Sequence, residues 1–140
     1  MNSSQSDAKK LNESSYVLDA SALLAAILGE PGSQVVEAAT ATGAVIGAVN
    51  LAEVVTKLTD LAYSEADITR SLTILTFGVL DFDAPLARIT GSLRASTRHL
   101  GLSLGDRACL ALTASLGLPA LTAERAWTQL DVGVEIVLCR

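Results

Sequence analysis

Four carboxylates draw attention by where they fall in the chain. Asp19 ends the short apolar run Tyr16-Val17-Leu18, Glu53 follows the apolar run 44–49, Asp106 opens a long apolar stretch, and Glu124 comes just after Leu121. Brought into one small volume, such groups repel one another and cannot all ionise unless cations neutralise them. An all-oxygen ligand set suits Mg²⁺ or Mn²⁺, hard cations that hold octahedral shells and keep several waters. The matching chemistry is attack on a phosphodiester, with the cations polarising the phosphate, lowering the pKa of a water and stabilising the entering and leaving oxygens. Each acid alone has a plainer reading, because acids in first turns complement the helix dipole and cap free N–H groups. Asn50-Leu51-Ala52-Glu53 is spaced as a capping box, Ser103-Leu104-Gly105-Asp106 nearly so, and Glu53 and Lys57 are spaced as an i,i+4 ion pair. Capping is served as well by Ser, Thr or Asn, so a carboxylate at each successive junction favours a metal site.

The elements that would carry these acids follow from hydrophobic pattern. Short β-prone runs are expected at 16–18, 44–49, 79–82, 119–121 and 134–138. Helices are expected over 20–28, 33–41, 51–63, 65–76, 84–100 and 103–116, the last apolar nearly all round and therefore buried. Strands alternating with helices predict an α/β chain, a three-layer α/β/α sandwich with a mainly parallel five-stranded sheet. Working sites in such sheets lie beyond the carboxyl ends of the strands, where the strand order reverses, which is where the four acids fall. Residues 1–15 are polar and aperiodic and read as a flexible tail, leaving 16–140 as one domain. The helices over 51–63 and 65–76 carry more apolar residues than one small sheet covers, which predicts a groove for a partner helix or a dimer face.

The runs Val17-Leu18-Asp19-Ala20-Ser21, Asn50-Leu51-Ala52-Glu53-Val54, Ser103-Leu104-Gly105-Asp106-Arg107 and Leu121-Thr122-Ala123-Glu124-Arg125 together resemble PIN-domain ribonucleases of the VapC toxin type, over residues 16–140. The resemblance implies an Mg²⁺- or Mn²⁺-dependent endoribonuclease toxin, held inactive by a cognate antitoxin and forming a homodimer. Asp19, Glu53 and Asp106 match the metal-binding acids of the family, Ser21 the small hydroxyl residue near the first acid, and Thr122 the hydroxyl residue closing the fourth strand. Glu124 departs from the family pattern, which reads Thr-Ala-Asp at this point. One methylene longer, it would still reach a second metal through a water.

Charge sharpens the substrate. The chain has 10 basic and 15 acidic residues and a net charge of −5, which argues against indiscriminate polyphosphate binding. That acidity is uneven: residues 1–83 hold 4 basic and 11 acidic side chains, whereas 84–130 hold 5 basic and 2 acidic. Arg107 and Arg125 each follow a proposed site acid and are expected to meet RNA phosphates, with Arg94 and Arg98 as a secondary track. His99 is the sole histidine, so a ribonuclease mechanism using paired histidines is excluded. Trp127, Cys109 and Cys139 are expected to pack in the core. No apolar leader opens the chain and no stretch is long enough to span a membrane, so a cytoplasmic protein is expected. Rival α/β enzymes lack their residues here: Ser21 stands where a haloacid-dehalogenase-type phosphatase needs a second Asp, and a P-loop lysine is missing. Two readings without catalysis stay open, a PIN-fold RNA- or protein-binding module with an impaired metal site and a structural protein whose acids only cap helices.

Overall fold

The computed structural model describes residues 15–140. The tail expected over 1–15 therefore lies, apart from Ser15, outside the described residues. In chain order the elements are β1 (Tyr16–Leu18), α1 (Ala20–Leu28), α2 (Ser33–Thr42), β2 (Ala44–Gly47), α3 (Ala48–Asp60), α4 (Glu65–Ile74), β3 (Gly78–Leu80), α5 (Ala84–Ser92), α6 (Arg94–Thr97), a 3₁₀ turn (Arg98–Leu100), α7 (Leu104–Leu116), β4 (Ala120–Thr122), a second 3₁₀ turn (Arg125–Gln129) and β5 (Ile136–Leu138). The sheet has five parallel strands in the order β3-β2-β1-β4-β5. The chain builds outward from β1 through β2 to β3, then returns to the other side of β1 to lay down β4 and β5. The order reverses between β1 and β4, and their carboxyl ends flank the crevice where α/β sheets place ligands.

Alternation along the strands divides the core in two, as a sheet covered on both faces requires. Leu18, Ile46 and Leu121 point into a cluster with Leu23, Val36, Val54 and Leu58, under α1, α2 and α3. Val17, Val45 and Ala120 point the other way, into a cluster with Cys109, Leu110, Leu112 and Trp127. The three-layer sandwich is thus the observed fold. Trp127, Cys109 and Cys139 are buried, as packing residues should be.

Two elements differ from expectation in ways that matter for the site. The strand expected over 44–49 ends at Gly47, and Ala48 and Val49 join the following helix, which starts three residues early. Glu53 consequently sits in the second turn of α3, not the first, and Asn50 is inside the helix, so neither belongs to an N-terminal capping box. The single helix expected over 84–100 is broken into α5, α6 and a 3₁₀ turn. Gly91 loosens the backbone there, and the Ser92 and Thr97 hydroxyls donate to the Ile89 and Leu93 carbonyls at 2.8 and 2.7 Å, competing for helical acceptors. Leu61, just past the end of α3, and Ile74, at the end of α4, are exposed, the latter 74%. Among the described residues no helix is long and apolar enough to cross a membrane.

Candidate metal centre

Asp19 leaves β1 as the N-cap of α1, where its Oδ1 accepts the Ala22 N–H at 2.9 Å. The capping reading is therefore true of this residue, but it describes only one of its contacts. The Ser21 hydroxyl donates to both carboxylate oxygens at 2.8 and 2.9 Å, and the Thr122 hydroxyl, arriving from the end of β4, donates to Oδ2 at 2.8 Å. Both hydroxyl oxygens also accept a backbone N–H, Ser21 from Ala123 and Thr122 from Glu124, each at 3.0 Å. Those two bonds fix the hydroxyls so that their protons face Asp19. The carboxylate is thus held from three sides before any ligand arrives.

Burial nevertheless dominates its electrostatics. Asp19 is 3% exposed, and loss of solvation pushes its carboxyl from the ordinary 3.8 up to about 6, against the three hydrogen bonds that favour the anion. The negative charge of Asp106 pushes the same way. Glu53 shows the same pattern: burial raises its carboxyl above the usual range, the Asn50 amide opposes this, and Asp106 adds to it. Beneath them the fully buried Cys109 thiol is held well above its ordinary value, first by burial, and the charges of Asp19, Asp106 and Glu53 all contribute. Asp19, Glu53 and Asp106 therefore share one electrostatic neighbourhood over Cys109. Among the described residues no cationic side chain relieves Asp19 or Glu53.

Asp106 has two tasks. It stands in the first turn of α7 and completes a capping box, its Oδ2 accepting the Ser103 N–H at 3.0 Å while its own N–H donates to Ser103 Oγ at 3.1 Å. The capping arrangement expected at 103–106 is thus formed, and Oδ1 makes no protein hydrogen bond among the described residues. Glu53 is differently held, its Oε1 accepting the Asn50 amide at 2.8 Å. The Glu53–Lys57 ion pair expected from spacing is not made, because the carboxylate turns inward to Asn50 and away from the exposed lysine.

Glu124 lies apart. Exposed at the start of a short 3₁₀ turn, it makes no side-chain cap, and it contributes to the shift of neither Asp19 nor Glu53. Arg125 beside it is exposed, as are Arg94 and Arg98. Arg107 is turned toward α5, its Nη1 donating to the Thr90 carbonyl at 3.0 Å while Nε is buried without a partner. This guanidinium ties two helices together, and that contact occupies one of the donors expected to meet phosphate.

The residues present fit a hydrated divalent cation better than an enclosed one. Among the described residues no three His, Cys, Asp or Glu side chains close into a ready-made metal cage. Mg²⁺ does not require one, since it is commonly held by one or two carboxylates and keeps its remaining waters. The donor set supports this: oxygen ligands only, two of them carrying raised pKa values with no positive partner. Sequence reasoning missed Asn50 and Gly105, whose contacts place Glu53. The Asn-x-x-Glu spacing was the available signal, but it pointed to a cap.

Comparison with known proteins places the fold. The PIN domain family model matches residues 16–133, and the chain belongs to that family. No curated protein sequence matches it. Among solved structures, a toxin–antitoxin complex from Klebsiella pneumoniae contains a chain 20% identical, with a TM-score of 0.70 over 90% of this chain and 98% of that one. The DNA-bound VapBC of Salmonella typhimurium gives 19% identity and 0.66, over 90% and 98%. VapBC-5 of Mycobacterium tuberculosis gives 21% and 0.59, over 91% and 98%. At these identities the likeness is one of fold.

Proposed function

We propose that this chain is a VapC-type toxin: a cytoplasmic, Mg²⁺- or Mn²⁺-dependent endoribonuclease silenced by a cognate antitoxin. The observation that supports the reading is that buried Asp19 and half-buried Glu53 both feel the charge of Asp106 with no compensating cation among the described residues. A purely structural acid as buried as Asp19 would be expected to find an arginine or lysine partner, because unpaired buried charge is costly. Asp19 has no such partner among the described residues, and the nearby charge of Asp106 adds to its burden instead of relieving it. Similarity to chains from toxin–antitoxin complexes supports the antitoxin as partner, and exposed Leu61 and Ile74, at the ends of α3 and α4, support a protein partner or a homodimer face.

Asp19, Glu53 and Asp106 would hold the cation, and Glu124 would reach a second one through a water. When bound, the ion supplies Lewis-acid polarisation of a scissile phosphate and lowers the pKa of a water. Ser21 and Thr122 orient Asp19 so that no reorganisation is needed on loading. The capping bond from the Ser103 N–H holds one oxygen of Asp106 and leaves the other for the ion. Exposed Arg125 would meet a phosphate flanking the cut, whereas Arg107 would do so only by leaving the Thr90 carbonyl. Hydrolysis leaves a 5′-phosphate and a 3′-hydroxyl. Sequencing RNA 5′ ends after brief expression of wild type and Asp19→Asn tests this, with discrete wild-type-specific 5′-phosphate ends expected. Ends carrying a 2′,3′-cyclic phosphate on the upstream fragment, or identical profiles, overturn it.

A second reading, a non-catalytic PIN-fold binding module, is favoured by the exposed Glu124 and by the lack of a closed cage among the described residues. It predicts weak Mn²⁺ binding and equal inertness of wild type and Asp19→Asn toward bulk RNA.

A further inference from the structure

Asn50 and Gly105 lie outside the acid set, yet they join the two helices that carry its second and third members. Asn50 is 2% exposed. Its amide nitrogen donates to Glu53 Oε1 at 2.8 Å and to the Gly105 carbonyl at 3.0 Å, so both protons of the NH₂ group are used. Gly105 completes the arrangement from the other side. A Cβ built there would overlap the Glu53 carboxylate, so the first turn of α7 can close over that side chain only because residue 105 has none.

We infer that Asn50 is a positioning residue for Glu53, fixing it against Gly105 and so setting the separation of the second and third acids before a divalent cation binds. This rests on the metal-nuclease reading above. Glu53 is otherwise a long side chain that Asp106 repels and that solvent can reach, and both influences favour rotamers pointing out of the site. An amide is well suited to oppose them. It donates to a carboxylate without neutralising it, which a lysine would do, and its second proton anchors it on the opposite helix, which a single hydroxyl could not. The burial of Asn50 in the first turn of α3 makes this a fixed crossbar between α3 and α7.

The test is Mn²⁺ binding by calorimetry to the full chain, with circular dichroism melts to establish folding. Asn50→Leu preserves volume and removes both hydrogen bonds, and it is expected to weaken Mn²⁺ binding about 10- to 100-fold, as loss of a ligand-orienting partner commonly does. If Asn50 acts through Glu53, the Asn50→Leu change adds no further loss in a Glu53→Gln background. Asn50→Ser, too short to bridge both partners but polar, gives the same direction of change should the leucine variant not fold. Gly105→Ala displaces the same carboxylate from the opposite side and weakens binding without touching Asn50. Unchanged affinity in the folded Asn50 variants, or fully additive losses in the double variant, overturn the inference while leaving the metal reading intact. A different pattern, in which Asp19→Asn and Glu53→Gln bind Mn²⁺ as wild type does or wild type binds none, overturns the metal reading and the crossbar with it.

Discussion

Asp19 and Glu124 follow neighbouring strands, β1 and β4, yet their environments are opposite. Asp19 is sealed in, held by a backbone N–H and two hydroxyls whose own orientation is set by further N–H groups. Glu124 stands in water at the head of a short 3₁₀ turn, with no cap and no partner for its carboxylate among the described residues. The connection between them is Thr122, whose hydroxyl donates to Asp19 and accepts from the Glu124 backbone. The end of β4 thus supports the acid of β1 more firmly than it supports its own. Preorganisation at this centre comes from burial and hydroxyl donors, and proximity in sequence to a strand end does not supply it.

The largest expected effect breaks the buried side of this pair. Asp19→Asn should lower RNA cleavage by roughly 10³-fold or more, since charge stabilisation by a bound cation amounts to several kcal/mol. The same change should stabilise the cation-free protein at pH 7. A carboxyl raised from 3.8 to about 6 carries a penalty of about 3 kcal/mol once ionised. Its removal should raise Tm by roughly 10 °C, read by calorimetry without divalent ions. An acid kept only as a cap would instead destabilise on substitution. Next come Ser21→Ala and Thr122→Val, each expected to reduce cleavage about 10- to 100-fold by unfixing Asp19. Both should move the Asp19 carboxyl further up, because each removes a donor that favours the anion, a shift measurable by NMR titration.

A smaller and graded effect follows from pH. Below about 4 the Asp19 proton is bound in both folded and unfolded chains, and Asp19 imposes no penalty on the fold. As pH rises through about 6 the folded chain must also give up that proton, and the cation-free protein should lose stability across this window. Mn²⁺ affinity should change in the opposite sense, rising by up to about tenfold per unit as protons stop competing for Asp19 and levelling off above about 6. Glu124→Gln should leave both profiles unaltered. A stability profile in wild type identical to that of Asp19→Asn would dissolve the contrast between the two acids.

The sequence disclosed more of this fold than of this site. β1 and α1 fall where apolar pattern and Asp19 place them, and the alternation of strands and helices is enough for a parallel sheet covered on both faces. Junction acids were also legible, because the strand ends follow from local hydrophobicity. What could not be read depends on contacts far apart in the chain. Thr122 reaches Asp19 from 103 residues away and Asn50 reaches Gly105 from 55 away, and neither pairing leaves a mark in local spacing. Asn50 was misread for a local reason too: Gly47 ended β2 early, and a residue spaced to cap a helix became a buried crossbar within it. Arg107 follows Asp106 in sequence, yet packing of α7 on α5 turned its guanidinium toward Thr90.

The smallest predicted effect concerns Glu124, and it sharpens the comparison most. An exposed carboxylate separated from a cation by water acts through a high dielectric, where a unit charge at close range amounts to about 1 kcal/mol. Glu124→Ala should therefore reduce cleavage only about fivefold or less, mostly in kcat, with stability unchanged within about 0.5 kcal/mol. Glu124→Asp shortens the side chain by one methylene and leaves its charge in place. Because Glu124 has no hydrogen bond holding it toward Asp19, shortening it removes no anchored contact, and activity should stay within about twofold of wild type. A loss approaching that of Asp19→Asn in either variant, measured at saturating Mg²⁺, would mean that substrate draws Glu124 inward and that its exposed position belongs only to the unliganded chain.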